Sequence, residues 1–137
     1  MSSTDPALRP AHWLLLGALF VLALAPRLYS AQTIGCHWDS AGSFTLINFD
    51  EAGSCRAALE GFDYTPFIGR QTIAISEMLG NKVPAGTVGD YGKVRAYCHG
   101  PEHLLVARTF SAVLGAATVV LLGLMGWLLL PEQPRVG

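Results

Sequence analysis

The stretch from residue 109 to residue 130, "TFSAVLGAATVVLLGLMGWLLL", holds no charged side chain over 22 positions. About 20 apolar residues suffice to carry a helix across the hydrocarbon core of a bilayer. Arg108 flanks one end, and Trp127 lies near the other, where indole rings favour the membrane interface. Pro131 and Pro134 follow and stop the helix. Gly115, Gly123 and Gly126 leave narrow surfaces that suit either lipid or a second helix. The segment reads as a membrane span, and the remaining residues are read around it.

Composition points the same way. Of the 137 residues, 51% are hydrophobic and only 14% are charged, against about 25% charged in an ordinary soluble domain. Mean hydropathy is +0.39. The net charge is -1, with no basic patch and no platform of stacking aromatics, so nucleic acid is not an expected partner. A second apolar run, "WLLLGALFVLALAP", covers residues 13–26. Arg27 interrupts it, Leu28 and Tyr29 extend it, and the Arg27 side chain is long enough to snorkel to the interface. A cleaved signal peptide is the rival reading, but its cleavage signals are poor. Ala23 and Ala25 are followed by Pro26, and the Tyr29–Ala31 pair has a bulky residue at the minus-three place. The sequence therefore predicts an uncleaved anchor. Two spans put both termini on one side of the membrane. The tails carry Arg9 and Arg135, and the other seven of the nine Lys and Arg lie between them. Arg27 and Arg108 favour a cytoplasmic connection, yet connections longer than about 60 residues cross largely regardless of charge.

Between the spans, residues 35–48 read as irregular chain. In "DEAGSCRAALEG", residues 50–61, two acids open a helical pattern and Gly61 closes it. Acids suit a helix N-terminus and glycine a helix end. Ala52, Cys55, Ala58 and Leu59 fall at helical spacing and supply an apolar face. In "PFIGRQTIAISEMLG", residues 66–80, Pro66 opens a second helix and Gly80 closes it. Phe67, Ile68, Ile73, Ile75, Met78 and Leu79 give apolar surface, and Arg70 and Glu77 keep the helix out of the hydrocarbon. Both short helices suit the membrane surface. Residues 81–101, rich in Gly and Pro, read as a loop.

Asp50 and Glu51 are the main candidates for chemistry. A carboxylate near a membrane can take the proton of an acceptor hydroxyl or help hold a divalent metal. Neighbouring acids repel, which raises one pKa. The plainer reading of the pair is a water-facing helix cap. Arg56 and Arg70 can pair with phosphate through the guanidinium fork, or serve as solvated surface charges. His37 with Asp39 has metal-ligand chemistry, though a His beside Trp38 suits an interface equally. His99 and His103 are four apart, but Pro101 intervenes, so a shared helical face for a metal pair is not expected. There is no phosphate-cradling GxxxxGK[ST] or GxGxxG and no GxSxG nucleophile motif. The three cysteines, Cys36, Cys55 and Cys98, form no CxxC and all fall between the spans. In an oxidising compartment one pair can join and one thiol remain; the sequence leaves the pair open.

Taken in order, the first span ending in "APRL", the loop phrase "FDEAGSCRAALEG", then "YTPFIGRQTIAISEMLG" and "EHLLVARTFSAVLGAATVVLLGLMGWLL" resemble the N-terminal region of the polytopic GT-C glycosyltransferases. The likeness is to family 39, the dolichyl-phosphate-mannose–protein mannosyltransferase-like branch. Ala107-Arg108, Ser111-Ala112 and Leu114-Gly115 match the phrase that opens that family's next span. The resemblance covers nearly the whole chain and rests on order and spacing. It implies an all-α integral membrane fold, with two transmembrane helices joined by an extracytoplasmic loop bearing one or two juxtamembrane amphipathic helices. The expected order is a cytoplasmic tail at 1–11, a first span at 12–29, the loop at 30–107 with helices near 50–61 and 66–80, a second span at 108–130, and a cytoplasmic tail at 131–137. It implies Asp50 as the base or metal-holding acid, Glu51 as its neighbour, and Arg56 and Arg70 as contacts for the phosphate of a polyprenyl-phosphate sugar donor. The expected setting is a bacterial inner membrane.

Departures accompany the likeness. Tyr64-Thr65-Pro66-Phe67 stands where the family often has a His-Pro-Pro phrase, residues 81–100 resemble an insertion, and family members have many more spans. The expectation is thus the N-terminal fragment of a membrane glycosyltransferase, inactive without further transmembrane segments or subunits. The alternative is a non-enzymatic two-span protein that meets a partner through its loop or its glycine-bearing helix faces. A third is a small secreted domain with a cleaved signal and a C-terminal anchor.

Overall fold

The computed structural model describes residues 10–33, 52–61 and 66–129. Five helices make up the described chain: α1 Pro10–Thr33, α2 Gly53–Glu60, α3 Pro66–Met78, α4 Tyr91–Cys98 and α5 Pro101–Leu129. No strand occurs among the described residues. Three of these helices begin on proline, whose fixed φ suits the first helical position and whose missing N–H has no intrahelical partner to lose there.

α1 and α5 are each long and apolar enough to cross a membrane. At 1.5 Å per residue their 24 and 29 residues span roughly 36 and 43 Å. Only 6% of the apolar window of α1 and 11% of that of α5 is buried. The core helix of a soluble protein would be mostly buried, so these helices present their leucines outward. Both exceed the sequence expectation. α1 runs through Pro26 to Thr33, and α5 starts at Pro101 rather than near residue 108. Pro101 and Glu102, in the first turn of α5, supply a start signal seven residues before the charge-free run.

The chain divides into two compact units, residues 1–27 with 112–137, and residues 28–111. In the first unit α1 and α5 are antiparallel. The ring of His12 lies 4.4 Å from that of Trp127, Leu16 and Leu19 approach Gly123, and Arg27 lies against Gly115. Arg27 Nη1 donates to the carbonyl of Ala23 at 2.7 Å. Gly126 has nothing within 4 Å of where a Cβ would stand.

The second unit has its own core: Ala52, Cys55, Val94, Tyr97 and Cys98, with Leu59, Ile73 and Val83 packed against it. α2 packs on both α3 and α4. Gly61 ends α2 in the left-handed conformation, as the sequence suggests. The buried positions of α3 are not its large apolar ones. They are Gly69, Thr72 and Ser76, while Phe67, Met78 and Leu79 are exposed. The reason is the closeness of α2: a Cβ on Gly69 would collide with the backbone carbonyl of Ser54 and touch Ala58 Cβ. Only small side chains fit that crossing.

α4 corrects the reading of residues 81–101 as loop. The Gly and Pro of that region are spent in its first half, where Thr87 N donates to Pro84 O and Asp90 N to Thr87 O. Each of these tight turns has a glycine, Gly86 or Gly89, at its third position with positive φ. Asp90 then caps α4, accepting from Lys93 N at 3.2 Å. Val94, Tyr97 and Cys98 turn one face inward.

Candidate functional site

Asp50 and Glu51, the acids expected to do chemistry, lie outside the described residues, as does the His37–Asp39 group. The described chain resumes at Ala52, which is the N-cap of α2 and makes no side-chain cap bond. Ala52 is fully buried in the core of the second unit.

One bond organises that core. Cys55 in α2 and Cys98 at the end of α4 form a disulfide, with Cα atoms 5.7 Å apart and a sequence separation of 43. Both are buried. This answers the pairing the sequence left open, and Cys36 is the remaining cysteine.

The bond sets Arg56 beside His99. Arg56 Nη2 lies 3.3 Å from Glu60 Oε2, one helical turn on, and its guanidinium stands 4.9 Å above the ring of Tyr91. An ion pair and a cation–π contact thus engage Arg56 within the fold. Arg70 is exposed on α3. His99 is held below the usual imidazole range by burial, then by the charges of Arg95 and Arg56. His103 is buried in α5, with its ring 5.2 Å from that of Tyr97. Its Nδ1 makes no hydrogen bond with a described residue. His99 and His103 form no metal group, and no cluster of three or more His, Cys, Asp or Glu stands ready for a metal among the described residues.

A polar network missed in the sequence crosses the unit behind α3. Tyr97 Oη donates to the backbone carbonyl of Asn81 at 3.2 Å, and Asn81 Nδ2 donates to Ser76 Oγ at 3.0 Å. Burial raises the Tyr97 phenol, a hydrogen bond from Ser76 lowers it, and the charge of Glu77 raises it further, with a net upward shift. The signal in the sequence was the polar residue after the stop of α3, "LGN" at 79–81, which the loop reading passed over.

No protein-family model, curated protein or solved structure matches the chain.

Proposed function

We propose that this chain is a two-span protein of a bacterial inner membrane, with residues 30–107 on the extracytoplasmic side. We further propose that it forms the front part of a glycosyltransferase that takes a sugar from a polyprenyl-phosphate donor. The observation that carries the reading is the Cys55–Cys98 disulfide, which falls in the stretch of sequence that connects the two membrane-length helices. Disulfides persist in oxidising compartments and are rare in the cytosol. This chemistry outweighs the arginines at the span ends, because the connection is long enough to escape the charge rule.

On this reading Asp50 takes the acceptor proton or helps hold a divalent metal, and Glu51 is its neighbour. In sequence the acids stand one residue before the disulfide-tied α2. Of the two arginines, Arg70 has the stronger claim on the donor phosphate, since Arg56 already shares its charge with Glu60. Two spans do not enclose both a groove for a lipid-linked donor and an acceptor cavity. We assign those to further spans, in this polypeptide or in a partner.

The test is Asp50→Asn in the enzyme completed by those spans, assayed for sugar transfer from a polyprenyl-phosphate donor. Loss of about 10²-fold or more is expected for a general base. Near-normal transfer would overturn the assignment.

A further inference from the structure

The sequence allows the Arg27 side chain to snorkel to the membrane interface, but in the fold it turns the other way. α1 runs on past Arg27 to Thr33, about 9 Å further. The side chain does not follow it. It leans back toward the helix N-terminus, the direction in which Cα–Cβ bonds tilt, and Nη1 donates to the carbonyl of Ala23, one turn back, at 2.7 Å. The guanidinium therefore stands roughly 15 Å from the end of a helix roughly 36 Å long. Gly115 makes room for it on α5, since a Cβ there would stand 3.1 Å from Arg27 Nε. Gly115 itself lies inside the charge-free run, roughly 10 Å beyond Arg108. Arg27 is exposed on the outside of the α1–α5 pair, where lipid or another helix would cover it.

A cation at that depth is costly unless an anion meets it. The Ala23 carbonyl offers a dipole and no charge. Residues 10–33 and 103–129 hold no Asp or Glu, so neither membrane-length helix supplies a carboxylate at this level. A second copy of the chain would bring a second Arg27 and no acid on either long helix. A lipid phosphate lies at the interface, the direction from which the side chain turns away. We propose that Arg27 is the docking point for a different transmembrane helix, one that carries an Asp or Glu near mid-membrane. Its carboxylate would pair with the guanidinium fork beside Gly115. This pairing requires that α1 and α5 span a membrane, as proposed above; it requires neither Asp50 nor a sugar donor.

The test is energy transfer between the labelled full chain, reconstituted in phosphatidylcholine vesicles, and synthetic transmembrane peptides of leucine with one central Glu or one central Gln. The Glu peptide should associate about tenfold more tightly than the Gln peptide, the scale of a polar pair between helices in a bilayer. Arg27→Leu should lose that preference. Equal association of the two peptides with the wild type would overturn the proposal, with no change to the chain that could disturb its fold. A preference for Glu that survives in Arg27→Leu would overturn it as well. So would a dipolar coupling between Arg27 Cζ and lipid phosphorus, read by solid-state NMR with the Glu peptide bound, since it would place the guanidinium on a headgroup. Asp50→Asn should leave the peptide preference unchanged. Sugar transfer that survives Asp50→Asn would sink the catalytic reading and leave the Arg27 pairing standing.

Discussion

Removing the Cys55–Cys98 bond is expected to loosen the second unit and leave the spans intact. The bond closes a loop of 43 residues. In the chain-entropy account, a cross-link over that length restricts the unfolded chain enough to contribute about 4 kcal/mol. At 1.36 kcal/mol per decade, that is roughly a thousandfold in the opening equilibrium. The double substitution Cys55→Ala with Cys98→Ala avoids leaving a polar atom in a core where both sulfurs are buried. Hydrogen exchange by mass spectrometry on the full chain in micelles reads the effect locally. Peptides covering residues 52–61 and 91–98 should lose up to about three decades of protection. Peptides within 112–129 should not change, since α5 there belongs to the other unit. Unchanged protection at α2 and α4 would refute the claim that the disulfide holds this core together.

Other consequences follow from particular contacts. Gly69→Ala forces a methyl group into the backbone of Ser54 and should destabilise the α2–α3 pair by about 1–3 kcal/mol, seen as faster exchange in α2. His99 titrates below its unfolded value near 6.5. As pH falls through that value the unfolded chain binds a proton before the folded one, so the second unit should lose stability as the pH drops below neutral. Thermal melts of the wild type against His99→Gln isolate this term, and the variant should show the weaker pH dependence. In the first unit, Gly123→Leu should separate α1 from α5, because Leu16 and Leu19 already fill the space, whereas Gly126→Leu should leave the pair unchanged. Cross-linking of cysteines introduced on the two helices measures both.

The two membrane-length apolar helices were legible because composition marks them: one holds 22 uncharged residues in a row. The ends of α2 and α3 were legible at Gly61, Pro66 and Gly80, where backbone chemistry is local. What failed was everything that depends on a neighbour. The isoleucines and phenylalanine of α3 marked its apolar surface, but nothing in them showed that α2 passes so close to Gly69 that Thr72 and Ser76 take the buried places. α4 was hidden because only eight residues follow a run of turn formers, and its inward face is defined by a partner cysteine 43 residues away. The candidate acids show the limit from the other side. Their residue types were easy to single out, and their claim now depends on a functional assay, since Asp50 and Glu51 lie outside the described residues.

The glycines of the second span bear on the choice between the two functional readings. In the sequence, Gly115, Gly123 and Gly126 were equivalent, each as suited to lipid as to a helix. The structure divides them. Gly115 accommodates the Arg27 side chain and Gly123 receives Leu16 and Leu19, so both serve the contact of α5 with α1 inside the chain. Leucine at either position disturbs that internal pair first, and loss of partner binding in such a variant would not separate the readings. Gly126 stands open, with Leu122 and Met125 exposed nearby on α5. A partner helix that uses a glycine of α5, on the non-enzymatic reading, would approach at this edge. Gly126→Leu is therefore the variant that discriminates: it should abolish association if the chain acts by recruiting a helix there. The front part of a transferase uses further spans too, and would also weaken. Only the pair of results, with Asp50→Asn silent and Gly126→Leu disruptive, selects the non-enzymatic reading, whereas loss of sugar transfer with Asp50→Asn selects the transferase.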